Sequence, residues 1–92
     1  MSYVQPSTTG YFIYSKSDCP ACDETKKLLP KAKFVNCDTY LEADVDEFLD
    51  FVWSKCKDKY PRSFPMIFFE GNYIGGIADI QYMKNFNMDD TF

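Results

Sequence analysis

Apolar residues occur along the chain in short runs separated by polar turns, and this pattern predicts strands alternating with helices. Tyr11–Ser15 and about Lys33–Cys37 have the length and the β-rich composition of strands. Between them, residues 20–29 have early acidic residues, late basic residues and a following proline, as a short helix prefers. The first half is therefore predicted to be a βαβ unit with a right-handed parallel crossover.

The segment that follows residue 38 has the strongest helical pattern. Thr39 and Glu42 have the spacing of a capping box, which would place Thr39 at the N-cap. Six apolar side chains then share an arc of about 100° on a helical wheel. They are Leu41, Val45, Phe48, Leu49, Val52 and Cys56. We expect this helix to bury that stripe against one face of a sheet.

The second half of the chain predicts a hairpin followed by a helix. Phe64–Phe69 is an apolar run, and Glu70–Asn72 is typical of a hairpin turn. Residues 73–74 supply a brief fourth strand, and residues 77–86 have a weak helical periodicity. The order β-α-β-α-β-β-α predicts an α/β protein with a four-stranded mixed sheet and helices on both of its faces.

Length, composition and charge narrow the possibilities. The 92 residues suffice for one small domain, with residues 1–9 predicted as a polar arm and residues 87–92 as a frayed end. The net charge of -4 argues against nucleic acid or membranes as partners. Because the first residues lack the features of a secretory signal, the expected location is the cytoplasm, where reducing conditions disfavour structural disulfides.

Two cysteines lie at the junction between the first strand and the first helix, in the sequence Cys19-Pro20-Ala21-Cys22. This spacing and placement are typical of a redox dithiol. A sulfur at a helix N-terminus faces unpaired N–H groups and the positive end of the helix dipole, which favour the reactive thiolate. Because Pro20 suits the first helical position, we expect Cys19 at the N-cap and exposed. Cys22 would be more covered and within its reach.

Three sequence blocks, in this order, resemble glutaredoxins. Lys16 stands three residues before C-P-x-C, Phe64-Pro65 precedes the hairpin, and residues 75–79 form G-G-x-x-D. The resemblance covers residues 11 to about 86 and implies a single glutaredoxin-like domain with the thioredoxin-like fold. It also implies that Pro65 follows a cis peptide bond.

The resemblance implies a dithiol oxidoreductase that uses glutathione as its co-substrate and holds no metal. Cys19 would attack a protein disulfide or a glutathione mixed disulfide, and Cys22 would resolve protein mixed disulfides. The expected partners are glutathione and disulfide-containing or glutathionylated proteins, and the chain is expected to act as a monomer.

A glutathione site is implied as well, because the tripeptide carries two carboxylates and one amine. Lys16 and Arg62 would meet the glycine-end carboxylate. The backbone of Phe64, next to Pro65, would pair with the peptide main chain. Residues around the start of the last helix would hold the γ-glutamyl end. Backbone N–H groups there would bind its carboxylate, and an aspartate would pair with its amine. These residues are Gly76, Ala78 and Asp79.

Departures from the family pattern leave two other functions open. Ala21 stands where an aromatic residue is common, and Ser63-Phe64 replaces the usual Thr-Val with a bulkier ring beside the thiols. The first alternative is a thioredoxin-like hydrogen donor, for example to ribonucleotide reductase, that a flavin reductase recharges. The second is a non-catalytic thioredoxin-fold module that binds a partner protein.

The other two cysteines have less specific interpretations. Cys56 lies on the apolar stripe of the second helix and is expected in the core. Cys37 is expected either to pack in the core or to be an accessible extra thiol. A zinc site using all four cysteines is disfavoured, because Cys37 and Cys56 do not form a second C-x-x-C.

Overall fold

Seven elements follow one another in the order that the sequence predicts. The computed structural model describes residues 2–89, with the backbone alone over residues 84–89. The elements are β1 (Tyr11–Ser15), α1 (Pro20–Leu28), β2 (Lys33–Asn36), α2 (Asp38–Trp53), β3 (Met66–Phe69), β4 (Asn72–Gly75) and α3 (Ile77–Asp89). Within the described residues, no helix combines the length and the apolar character needed to cross a membrane.

The four strands form one mixed sheet in the order β2-β1-β3-β4. β1 runs parallel to β2 and antiparallel to β3, so that Ile13 pairs with Phe34 on one side and with Ile67 on the other. β3 and β4 are joined through Glu70 and Gly71, whose φ angles are 50° and 84°. Two positive φ values are typical of a type I′ turn, which matches the twist of a hairpin. The predicted four-stranded mixed sheet is confirmed.

Side chains alternate across β1, and helices cover both faces of the sheet. Phe12 and Tyr14 are fully buried in the larger hydrophobic cluster, together with Phe48 of α2. Ile13 lies in a second cluster with Ile80 of α3, against which Leu28 of α1 also packs. The alternation of β1 therefore decides which side chains meet which helix.

The start of α2 differs from the prediction. The Cys37 carbonyl accepts a hydrogen bond from the Leu41 N–H at 3.0 Å, so the helix begins at Asp38 and not after Thr39. Cys37 is the N-cap residue and makes no side-chain hydrogen bond to the helix. The Asp38 N–H is satisfied by the side chain of Asn36 at 2.9 Å. The predicted capping box at Thr39 is therefore wrong.

A break divides α2 at Asp44. The backbone of Asp44 has φ -167° and ψ 99°, outside the helical region. Its Oδ1 accepts a hydrogen bond from the Glu47 N–H at 3.0 Å, the geometry of a side-chain N-cap. Asp44 thus begins the second half of the helix.

The break changes which side chains of the predicted stripe are buried. Phe48 and Val52 are fully buried, but Val45 is 45% exposed and Leu41 is only half-buried. A continuous helix would place Val45 on the same face as Phe48 and Val52. Because the backbone leaves the helical path at Asp44, Val45 lies outside the core. The prediction that Val45 is buried is wrong.

The N-terminal arm packs on α2, although the sequence predicts a polar arm. The ring of Tyr3 contacts three aromatic rings on both sides of the break, with centroid separations of 4.9 to 5.4 Å. These rings belong to Tyr40, Phe48 and Phe51. The buried Tyr14 hydroxyl donates to the Val4 carbonyl at 2.6 Å. The arm therefore joins the two halves of α2 to the sheet.

Element ends differ from the predicted ones by a few residues. α1 ends at Leu28 and β2 at Asn36, each one residue before the predicted end. The last helix continues to Asp89, three residues beyond its predicted end. The sequence predicts a frayed end over residues 87–92. Residues 87–89 belong to this helix, and residues 90–92 lie outside the described residues.

The two halves of the α2 stripe should differ sharply in their effect on stability. We expect Phe48→Ala to lower the free energy of unfolding by about 3–5 kcal/mol, because it removes a fully buried ring. The matched control Val45→Ala should change it by about 0.5 kcal/mol or less, since Val45 is exposed. Urea unfolding followed by circular dichroism measures both. A loss of several kcal/mol in Val45→Ala would contradict the break at Asp44.

Candidate active site

Cys19 caps the N-terminus of α1, as the sequence predicts. Its backbone is extended, and its Sγ accepts a hydrogen bond from the Cys22 N–H at 3.2 Å. Pro20 occupies the first turn, where its missing N–H leaves no helical hydrogen bond unmade. The amide hydrogen bond and the helix dipole both stabilise negative charge on the Cys19 sulfur.

The accessibility of Cys19 differs from the prediction. Cys19 is 7% exposed, because residues distant in sequence cover it. Its thiol lies 3.9 Å from the carbonyl oxygen of Phe64, in the segment that precedes β3. Cys22 is 1% exposed, which confirms that it is the more covered thiol. Cys19 still lines a surface pocket.

The second thiol of the motif is held in its protonated form. Burial, followed by the hydrogen bond with Cys19, raises the pKa of Cys22 to about 12. Cys22 therefore stays protonated at neutral pH and is not a nucleophile in the resting protein.

Two pockets meet at the segment 62–64 and contain every residue of the predicted glutathione site. The thiol pocket has a volume of about 460 Å³ and is lined by Lys16, Asp18, Cys19, Pro20, Ala21, Leu41, Val45, Arg62, Ser63 and Phe64. The α3 pocket has a volume of about 420 Å³ and is lined by Tyr60, Pro61, Arg62, Ser63, Phe64, Pro65, Tyr73, Gly76, Ile77, Ala78 and Asp79.

Phe64 joins the two pockets to the core. Its ring stacks on that of Phe48, with centroids 6.4 Å apart and planes within 3°. The Lys16 ammonium lies 5.8 Å from the centroid of the same ring. The ring therefore packs towards α2, while the Phe64 carbonyl faces the Cys19 sulfur. The Phe64–Pro65 peptide bond is cis, as the resemblance implies.

A hydrogen-bonded loop holds the residues that precede Cys19. The Asp38 carboxylate accepts a hydrogen bond from the Ser17 N–H at 2.9 Å, and the Asn36 side chain donates to the Ser17 hydroxyl at 3.3 Å. The hydrogen bonds with Ser17 lower the pKa of the Asp38 carboxyl. Asp18 then turns the chain with a φ of 54°. Sequence reasoning missed this role of Asp38, because the contact joins residues 21 positions apart.

The start of α3 adjoins Pro65 and is capped by Asp79. The Asp79 carboxylate accepts a hydrogen bond from the Gly76 N–H at 3.0 Å, and its other oxygen lies 3.8 Å from the Lys59 ammonium. A Cβ added to Gly75 would lie 2.2 Å from this carboxylate, and the φ of Gly75 is 135°. Glycine is therefore required there. A Cβ on Gly76 would approach the Pro65 carbonyl at 3.6 Å.

The remaining cysteines pack in the fold. Cys37 is fully buried, and burial raises the pKa of its thiol to about 12. Cys56 is half-buried against the larger cluster, as expected of a residue that packs on the core, but α2 ends at Trp53, so the prediction that Cys56 continues the apolar stripe of that helix is wrong. All four thiols are free. Among the described residues, no group of three or more His, Cys, Asp or Glu side chains could hold a metal ion.

Sequence reasoning also missed part of the lining of the two pockets. Leu41 and Val45 line the thiol pocket, although their spacing on α2 is that of core residues. Tyr60 and Tyr73 line the α3 pocket from the loop before β3 and from β4. Because aromatic residues make up 18% of the chain, the sequence alone does not mark these two tyrosines as pocket residues.

Comparison with known proteins gives matches among solved structures. No protein-family model matches the sequence, and no curated protein is significantly similar to it. Glutaredoxin 1 from Francisella tularensis matches with a TM-score of 0.69 and 21% identity, over 87% of this chain and 96% of the other. A dithiolic glutaredoxin from Trypanosoma brucei brucei matches with a TM-score of 0.68 and 21% identity, over 90% of this chain and 84% of the other.

A third match has a somewhat higher identity. Oxidized glutaredoxin 2 from Chlamydomonas reinhardtii has a TM-score of 0.64 and 25% identity, over 88% of this chain and 76% of the other. These similarities support a redox role for the dithiol, and they establish the architecture around it. The chain therefore has the thioredoxin fold in the form found in these glutaredoxins, as its sequence resemblance implies.

Proposed function

We propose that this protein is a glutathione-dependent dithiol–disulfide oxidoreductase, in which Cys19 is the attacking thiol and Cys22 the resolving thiol. One observation carries the proposal. Cys19 caps a helix beside the Phe64 carbonyl, where the thiol pocket meets the α3 pocket. The protein would work as a single-domain monomer in a reducing compartment such as the cytoplasm.

Reduction of a glutathione mixed disulfide needs Cys19 alone. The Cys19 thiolate attacks the glutathione sulfur and forms a new disulfide bond, while the electron pair of the old bond leaves on the substrate thiolate, which takes up a proton. A second glutathione thiolate then attacks the glutathione sulfur bound to Cys19. Glutathione disulfide leaves, and the Cys19 thiolate is restored.

Reduction of a protein disulfide uses both thiols. Cys19 first forms a mixed disulfide with the substrate protein. Cys22 then loses its proton and attacks the Cys19 sulfur, which releases the substrate thiol and leaves a Cys19–Cys22 disulfide. Because burial first, and then the hydrogen bond with Cys19, raise the pKa of Cys22 to about 12 in the dithiol form, Cys22 is protonated while Cys19 makes the first attack. Two glutathione molecules restore the dithiol.

The charges around the two pockets match those of glutathione. In our proposal, Lys16 and Arg62 hold the glycine-end carboxylate, and the Phe64 backbone pairs with the peptide main chain. The γ-glutamyl carboxylate would accept hydrogen bonds from the N–H groups in the first turn of α3, including that of Ala78. Gly76, which has no side chain, would leave room for the carboxylate beside this turn.

Asp79 would hold the γ-glutamyl ammonium group in place of Lys59. The pair between Lys59 and Asp79 is 3.8 Å long and largely exposed, with side-chain exposures of 61% and 48%. Exposed pairs of this kind contribute about 1 kcal/mol or less. An incoming ammonium group can therefore displace Lys59 at little cost, while the hydrogen bond from the Gly76 N–H keeps Asp79 in position.

A hydrogen donor recharged by a flavin reductase is the second candidate. It is favoured by Ala21, whose methyl group leaves the thiol pocket without an aromatic wall on α1. Reduction of the oxidised protein by NADPH and thioredoxin reductase, without glutathione, would favour this candidate over the first.

The roles of the two thiols can be separated by substitution. We expect Cys19→Ser to reduce turnover of the mixed disulfide between glutathione and β-mercaptoethanol to the uncatalysed rate, because the nucleophile is lost. Cys22→Ser should retain turnover of the same order as the unmodified protein. It should lose reduction of a protein disulfide, which needs the resolving thiol. NADPH oxidation coupled through glutathione reductase measures the first reaction, and insulin precipitation measures the second.

Two outcomes would contradict the proposal. Undiminished turnover in Cys19→Ser would exclude Cys19 as the attacking thiol. No turnover by a folded protein whose dithiol still oxidises and reduces would exclude glutathione as the co-substrate and would favour the second candidate.

The two cations of the thiol pocket should act on glutathione affinity. We expect Lys16→Met and Arg62→Gln each to raise the KM for glutathione about three- to tenfold, the equivalent of about 0.7–1.4 kcal/mol, with a smaller change in kcat. The matched control is Lys57→Met, because Lys57 lines neither of the two pockets. An equal rise in KM for the control would show a general charge effect.

The unequal thiols should be visible in alkylation. At about pH 8, iodoacetamide should modify Cys19 first. Raising the pH to about 10 should still leave Cys22 and Cys37 unmodified, because their pKa values near 12 keep them protonated below that pH. Mass spectrometry of the native protein measures the sites, and the unfolded protein, in which all four thiols react, is the control. Faster modification of Cys22 than of Cys19 would reverse the assigned roles.

A further inference from the structure

The thiol pocket contains an apolar patch that the proposed glutathione contacts do not use. α1 contributes Ala21 to this patch, and α2 contributes Leu41 and Val45. Val45 is 45% exposed beside the reactive thiol. Ala21 and Leu41 are half-buried, so the three side chains form a small contiguous apolar surface in the same pocket as Cys19, and contiguous apolar surface of this kind marks places where a partner binds. We call these three residues the apolar patch.

The break in α2 is what exposes the patch. In an unbroken helix Val45 would share the core face with Phe48 and Val52. Instead, the backbone of Asp44 is non-helical and its side chain caps the second half of the helix. Val45 therefore lines the thiol pocket. The exposure of Val45 is therefore built into the backbone and does not depend on the rotamer of one side chain.

Acidic residues accompany the patch. α2 carries six carboxylates and no basic residue between Asp38 and Trp53. Glu42 and Asp46, which follow Leu41 and Val45 in the chain, are exposed, and Asp18 lines the thiol pocket itself. Asp18 inside the pocket, and the exposed carboxylates that neighbour Leu41 and Val45 in the chain, therefore favour a positively charged reactant, whereas Lys16 and Arg62 in the pocket favour a negatively charged one.

We propose that the α2 side of the thiol pocket selects protein substrates, by binding a polypeptide segment whose reactive cysteine has an apolar neighbour and a basic residue close by. The apolar neighbour would contact the patch, and the basic residue would face the carboxylates of α2. This inference rests on the proposed function, in which Cys19 attacks the substrate disulfide. It adds the chemical class of the protein half of that disulfide.

The two halves of a glutathionylated protein then have separate places. Glutathione carries two carboxylates, which favour Lys16, Arg62 and the start of α3 and are repelled by the acidic α2. The polypeptide half is left with the apolar patch and its acidic surroundings. When the Cys19 thiolate attacks the glutathione sulfur, the electron pair of the broken bond departs on the cysteine of the polypeptide half.

Peptides that carry a thionitrobenzoate group on their cysteine test this selection without glutathione. The Cys19 thiolate attacks the peptide sulfur, a disulfide forms between Cys19 and the peptide, and the electron pair of the broken bond leaves on coloured thionitrobenzoate. Three peptides are compared, in which the cysteine is flanked by leucine and lysine, by leucine and glutamate, or by serine and lysine. Each rate is divided by that of the same peptide with free β-mercaptoethanol.

We expect the leucine–lysine peptide to react about three- to tenfold faster than each of the other two, which corresponds to one weak charge pair or one partly buried side chain. Its advantage over the leucine–glutamate peptide should fall towards unity in about 1 M salt, where the screening length is about 3 Å. Its advantage over the serine–lysine peptide should persist in salt. Equal rates for all three peptides would overturn the inference.

Matched variants locate the effect. Asp46→Lys, next to Val45 in the chain, should reduce or reverse the preference for lysine over glutamate, whereas Asp58→Lys, the same charge change on an exposed residue of the loop before β3, should leave that preference intact. Val45→Ser should reduce the preference for leucine over serine. Equal effects of Asp46→Lys and Asp58→Lys would overturn the local role of α2. A folded protein whose Cys19 reacts with no peptide would overturn the proposed function, and the inference with it.

Discussion

The packing of Phe48 against four aromatic rings is the interaction on which the site depends. One ring comes from the N-terminal arm, one from β1, one from the first half of α2 and one from the segment beside Cys19. They are Tyr3, Tyr14, Tyr40 and Phe64. Aromatic pairs contribute about 0.5–1.5 kcal/mol each beyond the area that they bury. The same cluster therefore stabilises the core and fixes the Phe64 carbonyl next to the Cys19 sulfur.

This arrangement lets one helix serve two purposes. The second half of α2 buries Phe48 and Val52, while the break at Asp44 turns Val45 towards the thiol pocket. The arm makes the break tolerable, because the ring of Tyr3 contacts both halves of the helix. The thiol pocket thus combines two cations, Lys16 and Arg62, with apolar side chains of α2.

Local patterns in the sequence were enough to predict the order of the elements, the mixed sheet and the N-cap position of Cys19. Each of these depends on neighbours a few residues apart, such as Pro20 at the start of α1. The features that were missed depend on distant partners. Cys19 is buried by residue 64, and the arm is fixed by rings on α2. The break at Asp44 depends on a competition between helix continuation and capping that hydrophobic periodicity does not register.

The most direct test of the account is an amide chemical-shift map of the Cys22→Ser protein before and after glutathione is attached to Cys19. The account predicts shifts at Lys16, at residues 62–64 and at the start of α3 from residue 76 to 79, since glutathione would span both pockets. Shifts confined to the immediate neighbours of Cys19 in the chain would contradict it, because glutathione would then be attached without being bound.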